Sequence, residues 1–312
     1  MSRIFEALRR ADLEREAGQE PELNPVAEPP EMVEFLNPSS VLGDVRIDNI
    51  AKHAWTPSAD AIPCLQERGV VVEQFRGLRT RLAQARHEAP IKTVLISSGM
   101  PSEGKSFVAL NLAISLARDG TNRVLLIDGD LRCPTLHESL GAPNKLGLSE
   151  YLAGTIDWIE ITQQFKDQEI NGHPVANAIS NLTFIPSGAS SDKSSELVSN
   201  GRMRDLIASL SQYFDWIVID SPPVLAITDA IELARIADAV LLVAREARTP
   251  LEVAQRAQAA FQQSRILGFV LNGAKRIHRK RSYYYSSYYS SYYGATDPSS
   301  RRNRPKKERN KG

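Results

Sequence analysis

Between Val70 and Ala274 the chain alternates two kinds of apolar run. Short, unbroken β-branched or Leu-rich stretches occur at Thr93–Ser97, Arg123–Ile127, Leu182–Ile185, Trp216–Ile219, Ala239–Val243 and Ile266–Leu271. Between most of them lie segments with helical spacing of apolar residues: Ser106–Arg118, Met203–Tyr213, Asp229–Ile236 and Leu251–Gln263, with another helix expected ahead of the first strand over Val70–Arg86. The strands show no polar alternation, which is the pattern of strands covered on both faces. Strands of that kind alternating with helices predict an α/β fold, a mostly parallel central sheet flanked by helices, over roughly residues 69–274.

The flanks read differently. Residues 1–16 place Ile4, Phe5 and Leu8 on a narrow stripe among Arg and Glu, a short amphipathic helix suited to docking. Residues 17–68 are expected to be a Pro-rich acidic linker: prolines recur at 21, 25, 29, 30, 38, 57 and 63, and eight acids face two bases between 17 and 60. Residues 275–312 show no hydrophobic periodicity and form a basic, tyrosine-rich tail.

Charge sharpens this division. The formal net charge is +1, but Lys275–Gly312 carries twelve Lys or Arg and two Asp or Glu, a net of +10, which leaves −9 on residues 1–274. Such a tail suits an anionic partner. Apolar content of 42% and charged content of 24% are ordinary for a soluble domain. Cys64 and Cys133 fit no zinc spacing and no disulfide framework, consistent with a reducing, cytoplasmic setting. No apolar run approaches the roughly 18 residues of a membrane span, and the start lacks a signal-peptide core.

The chemistry concentrates at strand ends. Gly99-Met100-Pro101-Ser102-Glu103-Gly104-Lys105-Ser106 fits G-x-x-x-x-G-K-[ST] and sits between an expected strand and an expected helix. Backbone N–H groups of the loop and the helix N-terminus would point at phosphates. Lys105 would bridge the β- and γ-phosphates and the Ser106 hydroxyl would hold Mg2+. Asp128 ends the run VLLID, Asp130 follows two residues on, and Asp220 ends WIVID. Ligands of open α/β sheets bind at the carboxyl ends of strands, so all three carboxylates are expected at the loop as a magnesium site.

The trio SSGMPSEGKS, LLIDGDLRCP and DWIVIDSPPV resembles the Walker A, A′ and B boxes of bacterial tyrosine autokinases of the exopolysaccharide and capsule biosynthesis type, within the P-loop NTPases. The opening MSRIFEALRRA resembles the exosortase-associated branch, and GFVLNGAK is also similar to that family. The resemblance implies ATP and Mg2+ as cofactors and protein-tyrosine phosphorylation as the reaction. It assigns Lys105 and Ser106 to phosphate and metal, Asp128 to deprotonating a tyrosine and to the metal site, Asp130 to support of that site, and Asp220 to Mg2+. Arg132 is implied either in steadying the transferred phosphoryl group or in a surface salt bridge, and Asn272 in touching adenine or in a turn. One position departs from the family's Pro-Gly-Glu-Gly-Lys-Ser: Ser102 replaces the first of these glycines, at a cost if φ is positive there. The loop also lacks the extra early lysine of partition and division-site ATPases.

Glu73, Arg76 and Arg79 form an E-x-x-R-x-x-R row. Its spacing alone describes exposed ion pairs of about 0.2–0.5 kcal/mol each. By resemblance it is the contact that closes a ring-like homo-oligomer. In the tail, Tyr283, Tyr284, Tyr285, Tyr288, Tyr289, Tyr292 and Tyr293 place seven of nine tyrosines within eleven residues. A sticky low-complexity segment, a stacking surface for single-stranded nucleic acid and an edge strand all suit that composition. The resemblance makes them phospho-acceptors reached in trans. It further implies a separate membrane-embedded polysaccharide co-polymerase as activator, a phosphotyrosine phosphatase as a further partner, and a cytoplasmic enzyme held at the inner face of the plasma membrane. A ParA/MinD-like positioning ATPase and a nucleic-acid-binding ATPase are the rival readings.

Overall fold

A computed structural model describes residues 49–118, 120–166 and 178–274. Eight strands form one sheet: β1 (Ala51–His53), β2 (Thr93–Ser98), β3 (Val124–Asp128), β4 (Gln163–Phe165), β5 (Leu182–Ile185), β6 (Trp216–Asp220), β7 (Ala239–Arg245) and β8 (Ile266–Asn272). Their order is β1-β4-β5-β3-β6-β2-β7-β8. Every neighbouring pair is parallel except β4 with β5.

The six expected strands all form, within two residues of the expected ends, and the expected helices appear as α1 (Val70–Glu88), α2 (Lys105–Ala117), α7 (Arg202–Leu210), α8 (Asp229–Ala234) and α9 (Leu251–Ala260). Four short helices lie outside the expected pattern: α3 (Leu136–Leu140), α4 (Leu148–Leu152), α5 (Trp158–Ile161) and α6 (Ser194–Ser199). The central strands β2, β3, β5 and β6 are buried at every position, as unbroken apolar runs require. One core, with α1 and α2, holds Leu82, Val108, Leu112, Phe184 and Val218. The other, with α4, α7 and α9, holds Leu148, Leu206, Leu210, Ile219 and Phe261. α2 is buried from Val108 to Ala117, the behaviour of a helix apolar all round.

The expected linker 17–68 ends sooner than its composition suggested. Residues 49–68 are part of the domain: β1 joins the sheet, and Ile50, Trp55, Ile62, Cys64 and Leu65 are buried. The Trp55 ring lies 6.1 Å from both Phe165 and Phe184, and its Nε1 donates to Gln163 Oε1 at 3.2 Å. The Asn111 side chain on α2 ties the segment down, accepting from Cys64 N (3.1 Å) and donating to the Ala61 carbonyl (3.1 Å). Apolar residues too sparse for a period of their own thus find cover on an existing core. Pro57 falls between elements, and Pro63 opens a 3-10 turn, a position that needs no N–H. The N-terminal helix, the first part of the linker and the tail lie outside the described residues. Among the described residues no helix is long and apolar enough to cross a membrane.

Candidate functional site

β2, β6 and β3 are adjacent, so sheet order brings three chain segments to one end. Asp128 and Asp220 are register partners across the β3–β6 ladder. Gly99–Gly104 leaves β2 between them and α9, and α2 opens at Lys105. The Gly129 amide donates to the Asp220 carbonyl at 2.9 Å, and a Cβ at Gly129 would stand 2.6 Å from that oxygen. Glycine therefore lets the acidic turn after β3 press against the end of β6.

The loop is held from two sides. Glu103 is buried, accepts from Met100 N at 2.8 Å, and receives the Thr249 hydroxyl on its other oxygen. Arg245 Nη1 donates to the Ser102 carbonyl at 3.1 Å. Asn272, expected at the adenine, gives its Nδ2 to the Glu103 carbonyl at 2.9 Å. Gly104 makes room for that contact: its φ is +92°, and a Cβ there would stand 1.9 Å from Asn272 Nδ2. The ends of β7 and β8 thus brace the loop. Glu103 and Thr249 are 146 residues apart, and no spacing in the sequence announces their pairing. Ser102 does occupy the left-handed region, at φ +63°.

The charged centre is nearly dry. Asp128, Asp130 and Asp220 are all at most 2% exposed. Lys105 Nζ lies 2.9 Å from Asp130 Oδ2 and 3.9 Å from Asp220 Oδ2, and donates to Ser106 Oγ at 3.3 Å. Burial works against the ammonium, but Asp220 and Asp130 outweigh it and raise the Lys105 pKa. Asp128 is fixed by two backbone amides, Asp130 N at 3.3 Å and Leu136 N at 3.2 Å. Burial above all, then the facing Asp220, pushes its carboxyl up to about 8. Asp220 is also held above the ordinary carboxylate range, by burial first, with Lys105 opposing.

No hydrogen bond of good geometry reaches either oxygen of Asp220, which pairs with Lys105 only at 3.9 Å. A buried carboxylate left in that condition is costly, and a cation relieves it. Three buried carboxyl groups face one ammonium here, so an added cation would let all three ionise. Ser106 and Asp220 fit a magnesium ion, which takes few protein ligands and completes its shell with water and phosphate oxygens. Among the described residues no group of three or more His, Cys, Asp or Glu could enclose a metal unaided.

The remaining expected residues have partners of their own. Arg132 Nε lies 3.8 Å from Asp229 Oδ2, and Nη2 donates to Ser195 Oγ at 3.4 Å, while the Ser195 hydroxyl donates to Asp229 Oδ1. Arg132 thus has an ion-pair partner in the buried Asp229. Arg76 pairs with Glu73 at 2.5 Å and donates to the Glu67 carbonyl at 3.0 Å; Arg79 donates to the Ser115 carbonyl on α2 at 2.9 Å. The tail tyrosines lie outside the described residues.

Residues 92–257 match the family described as the AAA domain. The chain is 32% identical over 230 residues to tyrosine-protein kinase YwqD of Bacillus subtilis, covering 73% of this chain and 92% of that protein. The chain belongs to the bacterial tyrosine-protein kinases. Tyrosine-protein kinase wzc of Salmonella typhimurium is 37% identical over 205 residues, which cover 65% of this kinase but 27% of that longer relative. Among solved structures, the kinase domain of the Escherichia coli tyrosine kinase ETK superposes with a TM-score of 0.59 at 33% identity, covering 66% of this kinase and 77% of that chain. Membership implies nucleotide binding, and the fold is the expected one.

Proposed function

We propose that this kinase transfers the γ-phosphoryl group of ATP to tyrosines 283–293 of a neighbouring copy of itself, and that the reaction regulates synthesis or export of an exopolysaccharide. The observation that carries the reading is Asp128, buried and held by two backbone amides, with Asp220 as its register partner on the neighbouring strand and Lys105 of the P-loop 3.9 Å from Asp220. Loop amides and Lys105 hold the β- and γ-phosphates. Ser106 and Asp220 would hold Mg2+, with Asp128 beside them; the ion supplies charge neutralisation on the phosphate oxygens. Asp130 keeps the Lys105 ammonium aligned. The acceptor tyrosine's oxygen attacks the γ-phosphorus as the bond to the β–γ bridging oxygen breaks, and the phenolic proton passes to Asp128, which a cation at Ser106 and Asp220 would bring to its carboxylate form. Positioning and charge stabilisation supply most of the rate.

From Gly273 to Tyr283 an extended chain reaches at most ~36 Å, enough for a neighbour's site in a packed ring. We assign closure of that ring to Glu73, Arg76 and Arg79, and attachment to the inner membrane face to a separate membrane-embedded activator. The test is phosphotyrosine mass spectrometry on the protein with Mg2+ and ATP. Phosphate on residues 283–293 is expected, and Lys105→Met should abolish it. A chain ending at Ala274 should lose nearly all self-phosphorylation; strong labelling of that truncated protein sinks the acceptor assignment. ATP hydrolysis with no tail phosphate would favour a positioning ATPase.

A further inference from the structure

Among the described residues, two that are not glycine hold a positive φ: Ser102 at +63° in the phosphate loop and Ala247 at +56° in the turn between β7 and α9. Such backbone is strained, persists where its surroundings over-determine it, and clusters at functional sites. The turn at Ala247 is over-determined. Thr249 N donates to the Arg245 carbonyl at 2.9 Å, Arg248 N to the same oxygen at 3.1 Å, and Glu246 N to the Asn272 carbonyl at 2.9 Å. Arg245 N in turn donates to Thr249 Oγ1 at 2.8 Å. These bonds fix the Thr249 hydroxyl. The two strained segments then meet: Arg245 Nη1 reaches the Ser102 carbonyl, and the Thr249 hydroxyl reaches Glu103 Oε1.

Glu103 is 3% exposed and stands inside the run of residues whose backbone amides would face phosphate. Its two oxygens divide their work. Oε2 holds Met100 N at the start of the loop, and Oε1 takes the proton of Thr249. Without that hydroxyl, one oxygen of a buried carboxylate loses its donor, which is costly. The carboxylate must then turn to other donors. Those at hand on the same segment are the loop amides and the Lys105 ammonium, the groups that phosphate itself requires. Loss of a hydroxyl on a distant strand end would in this way disorder the phosphate cradle.

We propose that Thr249 is a positioning residue for nucleotide binding, acting on the phosphate loop through Glu103, and that the strained turn at Ala247 serves to hold its hydroxyl there. Its influence on affinity is carried by the Glu103 carboxylate rather than by a contact of its own with phosphate. The inference rests on the role proposed above for the loop amides, and is independent of which tyrosine accepts the phosphoryl group.

Titration of the full chain with a fluorescent ATP analogue and Mg2+ tests it. Thr249→Val, which replaces the hydroxyl by a methyl group, should weaken binding about tenfold, the scale of one hydrogen bond to a charged group. Thr249→Ser keeps the hydroxyl and should bind as the wild type does. In a Glu103→Ala background the valine substitution should change nothing further, because the two residues act as one. Binding by Thr249→Val equal to wild type overturns the proposal. Equal weakening by valine and serine overturns it too, and assigns the effect to packing of the turn. A full tenfold loss in the Glu103→Ala background overturns the route through Glu103. Hydrogen exchange without nucleotide reads the same contact apart from the loop's ligand: the Met100 amide should exchange faster in Thr249→Val than in Thr249→Ser. Equal exchange there overturns the proposal even in a protein that binds no nucleotide.

Discussion

Ser102 and Asp128 each sit where local chemistry and function pull apart. Ser102 holds φ +63° in the loop, a region that costs a side-chain-bearing residue roughly 1–2 kcal/mol and glycine almost nothing. Part of that gain is returned through the freer unfolded chain of a glycine variant. Ser102→Gly should therefore stabilise the protein by about 0.5–1 kcal/mol, a rise of a few degrees in Tm by thermal denaturation. A lower Tm would mean that the serine makes a compensating contact. Asp128 governs a pH effect of definite sign. Its pKa lies near 4 in an unfolded chain and about 8 in the folded protein, so the folded state holds an extra proton between those values. That contribution to stability is fully present below about pH 4 and is lost as pH rises through 8. Denaturation midpoints should show Asp128→Asn becoming more stable relative to wild type between pH 5 and pH 8. A constant difference across that range would refute the assignment.

At the scale of elements, the segment 49–68 separates what composition implies from what packing decides. If it were linker, a substitution there would change stability by no more than about 0.5 kcal/mol. Trp55 instead lies against Phe165 and Phe184 and gives its indole N–H to Gln163. Trp55→Ala should cost about 3–5 kcal/mol in urea denaturation, the range of a buried aromatic deletion. The sequence hid this because β1 and its partner β4 are three residues each, too short for a period, and because residues 49–68 have no core of their own. By contrast β2, β3 and β6 were legible: unbroken apolar runs admit few alternatives once helices separate them, and an acid closing such a run marks the carboxyl end of a strand. The pattern alone thus places Asp128 and Asp220 together. The brace from Thr249, Arg245 and Asn272 could not, since it depends on β7 and β8 ending beside the loop, which only the strand order reveals.

At the scale of the whole molecule, the phosphorylation proposed for the tail would act on a strongly divided charge. Residues 275–312 carry +10 and the rest of the chain −9. Each phosphotyrosine adds about −1.5 to −2 charges, so seven would add about −10 to −14 and cancel or reverse the charge of the tail. Attraction of a basic segment to an anionic surface is worth about 1 kcal/mol per Lys or Arg near the surface and decays within a Debye length. The unmodified protein should therefore sediment with vesicles containing anionic lipid at low salt and release as salt rises. After incubation with Mg2+ and ATP the bound fraction should fall sharply. The Lys105→Met protein, treated identically, should stay bound, because its tail keeps its positive charge. Equal binding before and after phosphorylation would show that the basic residues do not hold the surface, since no other change in the molecule alters its charge by a comparable amount.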